Sequence, residues 1–491
     1  MTPTLFLTVF ALYVIGMIVL SIWISRKQTS GEDFLLGNRS VPLFLILGTT
    51  VATMVGTGSS MGAVGFGYSN GWAGALYGIG GALGILLLAK LFSGVRKYNF
   101  MTFSEEMSFY YGADKRIKGI IAILILIASI GWLGAHILGG GMYLAWIAGI
   151  DLLWAKIIIA LAFGIYVIIG GYMAVVWTDT IQAFILFFGF ILMAVMAVDK
   201  IGGIGEFNQA LGPNQFAFLE AGSLLPSISL SFVILVGVMA TPSYRQRIYS
   251  ADNIATVKKS FYISGTLYLF FSFIPAIIGI SAQIINPELK NTNFAFPYLA
   301  VEVLPVWIGL IVLIAGLSAT MSSASSDAIA GVSILLRDVY ILVFGRMPEK
   351  DKMVKLSRWG LMGITGLALL FTMYSEDIIS YIKNMISVVM SGMFVCSLLG
   401  RFWKRATWQG GLASLLGGAL CASLFMTQKG WMDFWGNSSI PSVLSALVFG
   451  VVVSLLTPKN KITDQEALDL LAKEREEMEL HEEKILDAES V

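Results

Sequence analysis

The chain has little charge: 13% of its 491 residues are Asp, Glu, Lys or Arg, half the share of a soluble globular domain. It has two cysteines, Cys396 and Cys421, both in apolar runs, so it is no disulfide scaffold. Its two histidines, His136 and His481, are far apart, and with so few Cys and His there is no zinc-ligand spacing. The formal net charge of +1 and the lack of a basic domain exclude nucleic acid as a partner. What is abundant is apolar: 57% hydrophobic residues, 31 Phe, 12 Trp and 52 Gly, with a mean hydropathy of +0.80. A soluble protein cannot bury that much apolar surface, so the chain is a polytopic membrane protein whose solvent is the lipid bilayer.

About 20 apolar residues cross a bilayer, and that window gives about thirteen runs: 4–24, 41–67, 72–94, 117–148, 154–171, 179–199, 225–244, 259–283, 297–336, 356–374, 378–400, 407–426 and 437–457. The run 297–336 is long enough for a span plus an extended helix. No run alternates as a β-barrel strand does, so the fold class is all-α. The first run is too long for a secretory signal and has no basic start or small-residue cleavage site, so it is expected to be a retained span. With the N-terminus outside, most of the 32 Lys and Arg fall in inside loops, among them Arg26, Lys27, Arg39, Arg96, Lys97, Lys118, Arg337, Lys350, Arg401 and Lys461. Lys156, Lys200, Lys290 and Lys429 fall outside, and Lys383 lies within a span. The C-terminus is then cytoplasmic, in a bacterial inner membrane or other cell membrane. The tail beyond 458 carries eleven acids from Asp464 to Glu489 with sparse Leu468, Leu471, Met478 and Ile485. It reads as a short charged helix, solvated rather than specific.

Irregular backbone survives in a membrane only where it lines a cavity. Gly48 to Gly62, rich in Gly and hydroxyls, breaks the second span; Gly237 and Pro242 weaken the seventh. The breaks are five spans apart, and five is odd, so two five-helix sets have inverted orientation, the pattern of secondary transporters with a site at the repeat interface. The expected division is a first helix and linker at 1–40, one repeat at 41–199, a second at 200–400, two accessory helices at 401–457 and the tail at 458–491. Close packing of small residues explains either segment alone, but not the matched pair. In span nine, Leu317 to Asp327 holds six hydroxyl residues and an acid, a costly composition in lipid. Ser322 and Ser326, or Ser323 and Ser326, share a helix face. With carbonyls freed from a broken helix they supply neutral oxygens for a hard monovalent cation such as Na⁺. Asp179 reads equally as an N-cap with Gln182 three residues on, or as an acid beside a cation path.

Four segments together resemble the sodium:solute symporter family: Asp33 to Arg39, Gly170 to Asp179, Gln246-Arg247, and Ala319-x-x-Ser322-Ser323. The resemblance runs from about 30 to 400. It implies a five-plus-five inverted-repeat core with extra flanking helices, within the about thirteen transmembrane helices expected from the runs. It implies a sodium site at the carbonyls of Ala52, Val55 and Ala319 and the hydroxyls of Ser322 and Ser323. A second sodium, as in some members, would use Asp179, Ser325 and Ser326. The family pocket implies substrate contacts at Met54, Gly56, Thr57 and Ser59, with Tyr77, Trp132, His136, Thr241 and Ser243 as neighbours. Tyr77 and Trp132 fall where the choline-transporter branch has cage aromatics; Met54 and Thr241 fall where two cage tryptophans would be, so half that cage is missing. Gly56 and Gly58 leave room for a bulkier or flatter solute. His136 either bonds a solute or a backbone oxygen, and Lys383 either meets an anion or snorkels.

These features point to a sodium-coupled symporter for a small polar solute, zwitterion or amine favoured, as a monomer or weak oligomer. Each Na⁺ moving inward gains about 2.3 kcal/mol per 100 mV. The alternatives are a proton-coupled or uncoupled transporter of a neutral solute or carboxylate and, more remotely, a channel or a transporter-derived sensor. An enzyme is not expected, for want of acid–base or metal residues. The triplet Asn437-Ser438-Ser439 at a span edge decides nothing about glycosylation.

Overall fold

A computed structural model describes residues 2–26, 30–211, 216, 218–349, 352–373, 375, 377–459 and 462–489; side chains are described to 476, except that of Ala221. Lys27, Lys350 and Lys461, and the side chains of Met478, His481 and Ile485, lie outside the described residues. Among the described residues there is no strand. One isolated backbone bridge joins Val41 to Ala251.

Among the described residues, eleven helical stretches are long and apolar enough to cross a membrane, with Leu43–Met54 as a shorter apolar helix. That is fewer than the thirteen runs: 154–171 and 179–199 lie on one helix, and 41–67 and 72–94 meet in the stretch Gly58–Leu91. The first helix, α1 (Pro3–Ser25), opens with Pro3 in its first turn and the Thr2 hydroxyl accepting from the Leu5 amide. Leu12, Ile15, Val19 and Trp23 are exposed on it, as on a helix that faces lipid. Next come α2 (Leu43–Met54), α3 (Ala63–Asn70), α4 (Ala75–Leu91), the short α5 (Phe103–Tyr110) and α6 (Lys115–Ala148). The 50-residue α7 (Leu152–Ile201) holds the runs 154–171 and 179–199 and bends at Gly171, φ 58° and ψ −160°. A Cβ there would stand 2.8 Å from the Phe34 ring, so only glycine fits the bend.

The second half holds α8 (Ala221–Ala240), α9 (Pro242–Ser250), α10 (Ile254–Phe271), α11 (Phe273–Ile285) and α12 (Val306–Ile334). Then follow α13 (Met353–Phe371), α14 (Ile378–Met385), α15 (Ser391–Phe402), α16 (Trp408–Met426), α17 (Ser439–Leu456) and α18 (Asp464–Glu489). The run 297–336 is divided at Leu304 and Pro305, whose extended backbone separates a short helical piece from α12. The centre of the molecule is α12, buried at every residue from Val312 to Ile334 and packed along α6 and α7.

The acidic tail is a helix, as its composition suggested, but its first half is docked rather than solvated. On α18, Ala467 and Leu471 are buried, Glu474 pairs with Lys118 at 3.2 Å, and Arg475 Nε donates to Glu105 at 2.8 Å. Alternating charges with small apolar residues let one face pack while the other stays wet.

Candidate functional site: two helix breaks facing a buried hydroxyl cluster

Both expected breaks are present. After Met54 the chain leaves helical geometry at Val55, φ −91° and ψ 58°, and resumes as a widened turn over Gly58–Gly62. The hydroxyls of Ser59 and Ser60 donate to the freed carbonyls of Met54 and Gly56, each at 2.7 Å. The second break is Thr241, φ −74° and ψ 126°, between α8 and α9, with Pro242 opening α9. The two broken helices are tied together at one end, where Val41 N donates to Ser250 O and Asp252 N to Val41 O, each at 3.1 Å.

Of the oxygens expected for sodium, those of Ala52, Ala319 and Ser322 lie close together between α2 and α12, while Ser323 pairs with the carbonyl of Thr53, a residue not expected there. Ser322 Oγ lies 3.2 Å from the Ala52 carbonyl and 3.3 Å from the Ala319 carbonyl, and Ser323 Oγ lies 3.2 Å from the Thr53 carbonyl. Val55, the turning residue, is fully buried beside them. Neutral oxygens from two helices within one hydrogen-bond sphere fit a monovalent cation that sheds its water.

Asp179, Ser325 and Ser326 also meet. Asp179 Oδ1 accepts from Ser325 at 3.2 Å; Oδ2 accepts from Ser326 at 2.7 Å and from Thr49 at 2.6 Å. The N-cap reading of Asp179 does not hold: helix resumes just past Gly171, so Asp179 lies inside α7 and its oxygens serve other helices. Gln182 instead donates to the Tyr13 hydroxyl at 2.6 Å. A cation is already built in here. Arg247 Nη2 donates to Ser326 Oγ at 2.7 Å and Thr49 Oγ1 at 2.8 Å, contacts Thr53 Oγ1, and stands 3.6 Å from Asp179. Any second sodium would share its carboxylate with that guanidinium.

Beyond the Val55 break lies a small cavity of about 40 Å³, room for one or two waters. Met54, Gly56, Ser59, Tyr77, Trp132, His136, Thr241 and Ser243 all line it, as expected. Thr57 does not: its hydroxyl is turned back to His136 Nδ1 at 3.0 Å and Thr320 at 3.3 Å. The room expected beside Gly56 and Gly58 is taken by the protein itself. A Cβ at Gly58 would meet the Tyr77 hydroxyl at 2.2 Å, and one at Gly56 the Ser323 hydroxyl at 2.6 Å. Lys383 lies elsewhere, in a wide vestibule of about 740 Å³ with Tyr68, Asn70 and Asp433.

The lining residues that had not been singled out for the pocket include Tyr244, Tyr268 and Asp327. Tyr244 is three residues beyond Thr241, so helical spacing from a named neighbour could have found it. Tyr268 had no local signal. Asp327 closed the serine cluster in the sequence, but its partner does not follow from spacing: His136 Nε2 is 3.2 Å from Asp327 Oδ2. Trp132 stacks beside His136, with centroids 6.4 Å apart and planes at 17°. The triplet at Asn437 is folded inward, its Oδ1 accepting from the Ser439 amide at 3.0 Å.

The four motif segments pack on one another. Gly171 abuts Phe34, Gln246 donates to the Leu35 carbonyl at 2.8 Å and to Ser333 at 3.1 Å, and Arg247 reaches Ser326. Comparison with known proteins agrees with that arrangement. The sequence model of the sodium:solute symporter family matches residues 34–418. A sodium/pantothenate symporter of Haemophilus influenzae is 27% identical over 88% of this chain and 92% of its own. A high-affinity proline transporter of Bacillus subtilis is 26% identical over 91% of this chain and 98% of its own. Among solved structures, a Na⁺-coupled sialic acid symporter in a substrate-bound outward-open state superposes with a TM-score of 0.80 at 20% identity, covering 93% of this chain and 99% of that one. Its likeness establishes the all-helical fold. The relatives are transporters and not enzymes, and this multi-pass chain belongs to the sodium:solute symporter family.

Proposed function

We propose that the protein imports a small polar organic solute, with a zwitterion or amine favoured, together with sodium by alternating access. One observation carries this reading: the Ser322 and Ser323 hydroxyls meet the Ala52 and Thr53 carbonyls of a broken helix, one turn from the cavity that Met54 and Gly56 line. Sodium bound by Ala52, Val55, Ala319, Ser322 and Ser323 holds α2 against α12. That fixes the break, and the break forms one wall of the solute cavity. Coupling follows because ordering the break for the ion also orders it for the solute. The two five-helix repeats, at 41–199 and 200–400, would rock against each other, with the N-terminus outside and the C-terminus in the cytoplasm of a bacterial cell. Asp179, Ser325 and Ser326 are proposed for a second sodium, shared with Arg247.

The test is uptake into proteoliposomes over a solute panel, with an inward sodium gradient or an equimolar potassium gradient. Sodium-driven accumulation of one solute supports symport. The His136–Asp327 pair favours a second reading, proton coupling; accumulation driven by a pH gradient and indifferent to sodium would put that reading first.

A further inference from the structure

The cavity beside the Val55 break is lined by a carboxylate that sodium coupling leaves unused. We propose that Asp327 anchors a protonated nitrogen, so that the transported solute is an organic ammonium or a zwitterion and not a sugar or a simple anion. This rests on the reading of the same cavity as the solute site.

Asp327 is 2% exposed. Its Oδ2 faces His136 Nε2, while its Oδ1 is buried with no hydrogen-bond partner among the described residues. A buried acid with one oxygen unserved is a costly arrangement in a folded chain, and an incoming donor removes that cost. The neighbouring arginines are engaged elsewhere: Arg245 with Glu106 at 2.8 Å, Arg247 with the Asp179 cluster. His136 bridges Asp327 and Thr57, its Nε2 3.2 Å from Asp327 Oδ2 and its Nδ1 3.0 Å from the Thr57 hydroxyl, so the ring is held in place beside the free oxygen.

The rest of the wall fits the same ligand. Tyr77, Trp132, Tyr244 and Tyr268 all line the cavity, an aromatic surround that suits an alkylammonium. Bare sodium would instead need five or six oxygens. Two donors are also buried without partners, Trp132 Nε1 and Ser243 Oγ. They can receive a carboxylate or carbonyl at the solute's other end.

The test uses purified full-length protein and matched solutes that differ in the protonated nitrogen: N,N-dimethylethanolamine against 3-methylbutan-1-ol, and L-proline against N-acetyl-L-proline, with glucose and pantothenate beside them. Thermal stability is read with and without sodium, since a ligand of the folded state raises the melting point by mass action. The expected result is stabilisation by at least one ammonium-bearing probe and none by its uncharged-nitrogen partner. Asp327→Asn should weaken that probe at least 30-fold while the shift produced by sodium alone persists. If Asp327→Asn does not fold, the matched pairs on the wild-type protein decide alone. Equal stabilisation by both members of a pair overturns the proposal. So does stabilisation by glucose or pantothenate alone, no response to any ammonium probe, or unchanged affinity in Asp327→Asn. Loss of the sodium shift in Asp327→Asn, with no ammonium response in the wild type, overturns it in favour of a cation site. An ammonium response in a wild-type protein indifferent to sodium sinks the coupling reading and leaves the anchor standing.

Discussion

Two arginines two residues apart on α9 have opposite surroundings. Arg245 is wholly buried and closed in: it holds Glu106 at 2.8 Å, reaches Ser397 at 3.3 Å and lies over the Phe92 ring at 3.7 Å. Glu106 is in turn served by Tyr110 at 2.6 Å and by Tyr249. Arg247 meets its acid only at 3.6 Å and spends its donors on the hydroxyls of Thr49, Thr53 and Ser326. The first arrangement is a lock: both Glu106 oxygens are taken, by Arg245, Tyr110 and Tyr249, which leaves none for a ligand. The second is a loose charge in a cluster of neutral oxygens, where a small cation could compete. The same residue type on the same short helix thus closes a salt bridge at one position and borders the proposed second sodium site at the other.

Breaking the lock should have the largest effect. Arg245→Met leaves Glu106 buried without its cation, which costs about 3–5 kcal/mol. The expected outcome is loss of monodisperse protein in detergent, partly recovered by adding Glu106→Gln. A well-folded Arg245→Met would erase the distinction between the two arginines. Ser322→Ala comes next. It should raise the sodium concentration for half-maximal thermal stabilisation about tenfold, roughly 1.4 kcal/mol, without altering which solute is favoured. An unchanged sodium titration would remove Ser322 from the site.

Arg247→Met sharpens the comparison from the other side. It should fold, lower the melting temperature less than Arg245→Met does, and change the steepness of the sodium titration, because Asp179 would lose its internal counter-charge. If the titration keeps its shape, the Asp179 cluster is structural. The smallest effect is expected at the tail. Arg475 is about one-third exposed in its pair with Glu105, so Arg475→Ala should cost well under 1 kcal/mol and leave sodium response and uptake unchanged. A change in uptake would give the docked tail a regulatory role.

Local features carried much of the fold and part of the site. Breaks announce themselves by composition, so Gly48 to Gly62 and Pro242 located both interrupted helices. The spacing of Ser322, Ser323 and Ser326 placed their hydroxyls on one face of α12. Boundaries were less legible. Asp179 looked like a helix start because Gly170-Gly171 precedes it, yet Gly171 bends the helix and Asp179 lies beyond the bend. The tail's charge hid the narrow face through which Ala467 and Leu471 pack.

Sequence by itself determined that this chain crosses a membrane as helices, where two of those helices break, and which helix carries the hydroxyls. Each is a local property, because the cost of polar or glycine-rich backbone in lipid is set residue by residue. Tertiary structure alone decided that His136 meets Asp327 across 191 residues, that Arg247 enters the Asp179 cluster, and that Tyr244 and Tyr268 complete an aromatic wall. Such pairs depend on how helices rotate and cross. Those angles are set by the packing of side chains distant in sequence, which no local spacing records.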